Sequence, residues 1–153
     1  MTPPTPRRHD QQGIASLELA LLAPLLVTLL LGAAEFGRAV LQYNAVVKNV
    51  RSAVRYLSNY APGDTVAQAR AKNLLVYGST TAGSNALVPG LGTGQVKVSD
   101  ATTSTALALQ PTGYGVVNLV KVEVNGLTFQ PLASWILPSF QFATIAATMR
   151  QGL

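Results

Sequence analysis

The distribution of apolar positions divides the chain into two unequal parts. Residues 14–34 read IASLELALLAPLLVTLLLGAA, 21 residues with 16 apolar side chains and a single charge, Glu18. At about 1.5 Å of rise per residue, a helix of this length covers about 30 Å, the hydrocarbon thickness of a bilayer. The stretch predicts a transmembrane helix. A buried core helix is one rival reading. Another is a secretory signal peptide cut after Gly32-Ala33-Ala34, but its apolar region normally runs about 7–15 uncharged residues. The length, Glu18 and Pro24 favour the span.

Beyond Ala34 the apolar positions become periodic. Phe36, Val40, Tyr43, Val47, Val50, Val54 and Leu57 alternate at spacings of four and three, with Arg38, Gln42, Asn44, Lys48, Asn49, Arg51 and Arg55 on other faces. This heptad seam extends the helix to about Tyr60, where Ala61-Pro62-Gly63 ends it. The seam either packs against the chain's own head or is shared with other subunits. Pro24 removes one backbone hydrogen bond and predicts a kink or a local melt.

The remaining elements are shorter. Asp64–Tyr77 predicts a second helix, opened by a capping box at Thr65-Val66-Ala67-Gln68 and closed at Gly78. Residues 78–94 read as a Gly/Ser/Thr-rich loop, Gln95–Ser99 as a short strand, and 100–115 as a second link. Val116–Asn125 alternates well, with Asn118, Val120, Val122 and Val124 on one face, and is the best strand in the chain. Asn125-Gly126 is a hairpin signal. Pro131–Leu137 predicts a helical turn or two, and Gln141–Arg150 a last strand. Together these give an α+β fold: a long N-terminal transmembrane helix continuing into an amphipathic helix, a second short helix, and a small antiparallel sheet packed on the first helix. The organisation is a leader at 1–13, a span at 14–34 and an extracytoplasmic region at 35–153.

Composition narrows the chemistry. The chain has no cysteine and one histidine, His9, so no disulfide framework or thiolate metal site is available. Six acids, Asp10, Glu18, Glu35, Asp64, Asp100 and Glu123, are scattered without a pair that would tune a pKa. Gly90-Leu91-Gly92-Thr93-Gly94 lacks a phosphate-loop pattern. No catalytic residue, metal site, cofactor or small-molecule substrate is expected, and the chain reads as a non-enzyme. Lys48, Arg51 and Arg55 form a basic stripe, but three charges without interleaved aromatics do not predict nucleic-acid binding; a solvated face or pairing with acids of other subunits is expected. Trp135 is expected as a core or interface anchor. Charged residues make up 11% of the chain against about 25% in ordinary soluble domains. The head is therefore neutral and polar, suited to packing against neighbours.

Arg7 and Arg8 precede the span, which places the N-terminus in the cytoplasm and the C-terminal region outside. Glu18 is the informative residue within the span. A carboxylate there costs about 2–3 kcal/mol and calls for a partner, unless it sits wet at headgroup level. Cutting after Gly13 would create an ammonium at Ile14. In a bundle of parallel helices, that ammonium on one subunit can pair with Glu18 of the next and fix their axial register.

Gly13-Ile14-Ala15-Ser16-Leu17-Glu18 resembles the processing pattern of type IV prepilins. With Ala20-Leu21, Pro24, Leu25-Leu26, Gly32, Glu35-Phe36-Gly37-Arg38 and Arg51-Ser52-Ala53-Val54-Arg55-Tyr56, residues 13–57 resemble the TadE-like family, the pseudopilins or minor pilins of tight-adherence (Flp-type) pili. Leu19 stands where an aromatic residue is common in that family, and Ala53 where a glycine is. The resemblance implies a pilin-like lollipop fold in a bacterial inner membrane, with the C-terminal region periplasmic. It implies a prepilin peptidase acting between Gly13 and Ile14. The implied partners are other pilins, the assembly platform and membrane lipid. The rival class is an uncleaved, membrane-anchored periplasmic adaptor or binding module.

Overall fold

The structure, a computed structural model, describes residues 9–152, with side chains from Gly13 onward. Arg7 and Arg8, on which the expected orientation rests, lie outside the described residues, as do Pro3, Pro4 and Pro6.

The fold is α+β. A first helix, α1 (His9–Leu57), runs unbroken for 49 residues, or about 73 Å. It begins within the expected leader, because the last leader proline is Pro6 and nothing from His9 to Gln12 breaks a helix. It ends three residues before Tyr60, in a turn closed by Tyr60 N–H to Leu57 O. The local melt at Pro24 is not seen: α1 is continuous there, and the Thr28 hydroxyl donates to the Pro24 carbonyl at 2.8 Å. Among the described residues, α1 is the one helix long and apolar enough to cross a membrane.

The second helix, α2 (Thr65–Tyr77), is capped by Asp64, not by the expected Thr65 box. The Asp64 carboxylate accepts from Val66 N and Ala67 N, both at 2.9 Å. A short side chain placed before the first turn reaches these donors directly. Gly78 closes the helix at φ 74, a left-handed conformation that glycine adopts without steric cost.

Four strands form the main sheet: β1 (Val96–Ser99), β2 (Gln110–Pro111), β3 (Val116–Val124) and β6 (Ile145–Gln151). β3 pairs antiparallel with the other three, in registers that include Val98↔Val122, Gln110↔Val117 and Val122↔Ala147. A separate pair, β4 (Thr128–Phe129) and β5 (Phe140–Gln141), closes on itself. Asn125-Gly126 therefore does not return the chain along β3 as a hairpin signal predicts. Leu127 and Phe129 are instead drawn into the interior, a case of burial overriding local turn chemistry. Pro131–Leu137 forms a turn closed by Ile136 N and Leu137 N on Ala133 O.

The alternation in β3 has the expected sense. Val120, Val122 and Val124 face inward, and Val96 and Ile145 join them from the flanking strands. They meet Val46, Val50, Ala53, Val54 and Leu57 of α1, while Ala67, Ala71, Leu75 and Val76 of α2 complete the same cluster. Each fully buried Val or Leu is worth about 1.5–3 kcal/mol, so the upper part of α1 supplies one wall of the core. The 78–92 loop is pinned by the buried Val88 and Leu91.

The heptad seam holds only in part. Val50, Val54 and Leu57 are buried, but Phe36, Val40 and Tyr43 are 66%, 42% and 42% exposed. The face turned to the head lower down carries Glu35 and Ala39, both buried. A helix of period 3.6 drifts away from a strict seven-residue repeat, and small Ala39 permits the close approach that Phe36 would block.

Candidate functional site

Three places along α1 carry chemistry, and the head packs against only the upper two. The first is the N-terminal end. Residues 13–22 are exposed all round, with Ile14, Leu17, Leu19 and Leu21 between 61% and 72% accessible. Gly13, Ile14 and Glu18 stand within two turns of this bare helix, and Pro24 follows six residues later. Ile14 and Glu18 share a face, one turn apart. Fifteen or so apolar side chains without cover in water are a large unfavourable area; this half of α1 is shaped for lipid or for other helices.

The second place is a clamp where the apolar stretch ends. Glu35 is buried, and its Oε2 accepts from Arg38 at 2.7 Å. Its Oε1 accepts from the backbone N–H of Leu132 at 2.9 Å and of Ala133 at 3.3 Å. Arg38 also donates to Gln130 O at 2.8 Å and lies 4.8 Å from the Phe129 ring centroid. The Arg38 guanidinium beside Glu35, helped by the two backbone donors, outweighs desolvation and holds the carboxyl below its usual range. Both Glu35 oxygens are engaged, so the clamp fixes the 131–137 turn against α1.

The third is a groove between α1 and β6, about 630 Å³ in volume. Val47, Val54, Ala147 and Met149 line its apolar part, and Lys48, Arg51 and Arg55 stand along it. The three bases expected as a stripe are thus brought together. None of them is within ion-pair distance of a carboxylate among the described residues, where the ion pairs are Arg38–Glu35, Lys97–Glu123 and Lys121–Glu123.

Sequence reasoning missed the tasks of two acids. Glu35 was readable as a partner of Arg38 three residues on, but not of backbone 97 residues away. Asp100 is 1% exposed and ties together a turn described below. Trp135 is no core anchor: it is 71% exposed. The described residues contain no group of three or more His, Cys, Asp or Glu side chains placed to hold a metal ion.

Comparison with known families agrees with the N-terminal pattern. The family model described as TadE-like protein matches residues 13–55, all but the last two residues of the stretch on which the resemblance rests. This is a structural family associated with pili. The match covers α1 from the candidate processing glycine to the last turns of its core-facing part, and leaves the sheet outside. No curated protein and no solved structure matches the chain.

Proposed function

We propose that the chain is a pilin-like structural subunit, a minor pilin or pseudopilin, of a tight-adherence type IVb pilus or a related secretion apparatus. The observation that carries this reading is the pairing of a bare, apolar helix end with Gly13 and Glu18 at its mouth, inside a segment that matches TadE-like proteins. In this reading residues 1–13 form a leader, 14–34 span a bacterial inner membrane, and 35–153 lie in the periplasm. A prepilin peptidase cuts between Gly13 and Ile14. The new Ile14 ammonium then meets Glu18 of a neighbouring subunit as the helix leaves lipid for the bundle. In the low dielectric of a helix bundle such a pair gives axial register, since neither charge is tolerated alone there. The head packs against other pilins or the assembly platform.

N-terminal sequencing of the protein recovered from its native membrane tests this. Ile14 as first residue supports the pilin reading. An intact leader with Arg7 and Arg8 supports the uncleaved anchored module instead, and Glu35 as first residue supports a secreted product. Either of these two results overturns the proposal.

A further inference from the structure

The 131–137 turn has an unusual combination of position and surface. Its sequence, Pro131-Leu132-Ala133-Ser134-Trp135-Ile136-Leu137, carries no charge. The Glu35 carboxylate holds Leu132 N and Ala133 N, and Arg38 holds Gln130 O. The height of the turn along α1 is therefore set by residues immediately after the apolar stretch. The turn also reaches back down the helix: a Cβ placed on Gly32 would stand 3.6 Å from Ile136 Cγ2. Yet its two largest outward side chains are uncovered, Leu132 at 85% and Trp135 at 71% exposure, beside the exposed Leu31 of α1.

A cleft of about 320 Å³ lies here, lined by Leu31, Ala34, Leu132, Ala133 and Trp135 with Glu35 and Arg38. The polar atoms of Glu35 are taken up within the clamp, and most of the remaining lining is apolar. An apolar surface at this level, next to a helix that enters lipid, has one ready occupant. Tryptophan is enriched at the boundary between headgroups and acyl chains, where its ring is half in hydrocarbon and its N–H reaches water.

We infer that the 131–137 turn is a second membrane contact, in which Leu132 and Trp135 enter the headgroup–acyl boundary of the leaflet from which α1 emerges. The occupant is the bilayer interface itself, not a soluble ligand. The inference rests on the proposed membrane span at 14–34 and deepens it. The head then touches the bilayer at two points, α1 and this turn, and its tilt and rotation about α1 are restrained before assembly. Leaving the membrane requires withdrawing both.

Trp135 is the one tryptophan in the chain, so selectively excited tryptophan emission reports on this turn alone. The full chain is reconstituted in phosphatidylcholine–phosphatidylglycerol vesicles whose acyl chains are brominated either near the glycerol or near the methyl end. Co-flotation after an alkaline wash measures insertion separately. The inference expects blue-shifted emission, little quenching by aqueous iodide, and stronger quenching by the shallow than by the deep bromines. A Trp135→Phe, Leu132→Trp variant should show the same order. An inserted protein whose tryptophan is quenched by iodide and not by lipid bromine overturns the membrane contact while leaving the span intact. Shielding from both quenchers assigns the surface to another copy of the chain and likewise overturns it. Loss of the protein from the floated vesicles overturns the span and the contact together.

Discussion

The backbone N–H of Gly63 donates to the Asp100 carboxylate at 2.9 Å, joining the α1–α2 turn to the end of β1. Gln68 Nε2 donates to the same oxygen at 2.9 Å. The other oxygen accepts from Thr102 N, Thr103 N and the Thr102 hydroxyl. Gly63 has φ 83, a left-handed conformation that favours glycine, and a Cβ there would also crowd Thr102 Cγ2 at 3.2 Å. Asp100→Ala removes the shared acceptor of several part-buried donors at once. It is expected to destabilise the head by about 1–3 kcal/mol, measured by thermal or denaturant unfolding of the full chain in micelles. An unchanged midpoint would show that the turn holds without it.

Acid should weaken the head in a defined direction. Burial pushes the Asp100 carboxyl up, but the Thr102 hydroxyl and the N–H groups of Gly63, Thr102 and Thr103 outweigh it, and its pKa lies below the usual range. Lys121 does the same for Glu123, with Lys97 adding to it, and Arg38 for Glu35. A carboxyl whose folded pKa is depressed contributes stability that is present above its unfolded value, near about 4, and is lost as pH falls through the folded value. Unfolding midpoints should therefore be flat from neutral pH down to about 5 and drop only below about 4. A loss centred near neutral pH would contradict this.

Residues 61–153 expressed alone should fold poorly. That fragment lacks Val46, Val50, Ala53, Val54 and Leu57, which form one wall of the core, and a sheet this small needs a covering partner. A sharp cooperative melt of the fragment would show that the sheet and α2 are self-sufficient.

Glu18→Ala should leave membrane insertion intact or slightly improved, because a charge costing about 2–3 kcal/mol in the span is removed. Pilus assembly or secretion should be lost. Normal assembly in this variant would sink the register proposal while leaving the anchor.

Reversing charge in the α1–β6 groove should impair assembly without unfolding the protein. Arg51 and Arg55 are exposed, where substitutions usually change stability by about 0.5 kcal/mol or less. Among the described residues none of the three bases has a carboxylate within ion-pair distance, so in the proposed assembly the groove would face acids of neighbouring subunits. Arg51→Glu with Arg55→Glu is expected to cut co-purification of partner subunits several-fold at low salt, and raised salt should weaken the wild-type complex in the same direction.

Much of this architecture was legible because it depends on local pattern. The long apolar helix follows from the run at 14–34. The boundaries of α2 follow from Asp64 and Gly78, although the cap is Asp64 itself and not the Thr65 box. The inward face of β3 follows from Val120, Val122 and Val124. What stayed hidden depends on residues far apart in the chain. Phe36 and Val40 fit a heptad, yet the head closes on Ala39 and Glu35, and only the 131–137 turn supplies the reason. Asp100 reads as a lone loop acid until Gly63 and Gln68 are placed beside it. The basic stripe was visible, but the groove was not, because its opposite wall, Ala147 to Met149, arrives from the last strand.

The continuity of α1 has a mechanical consequence. The head grips the helix at two levels, the Glu35 clamp below and the Val46–Leu57 contacts above, so the segment between them is splinted. The weakest link under axial load is then Pro24, which lacks its backbone hydrogen bond. In the proposed assembly, a subunit pushed outward from below would flex there, well under the clamp, while the head travels as a stiff body on a splinted rod.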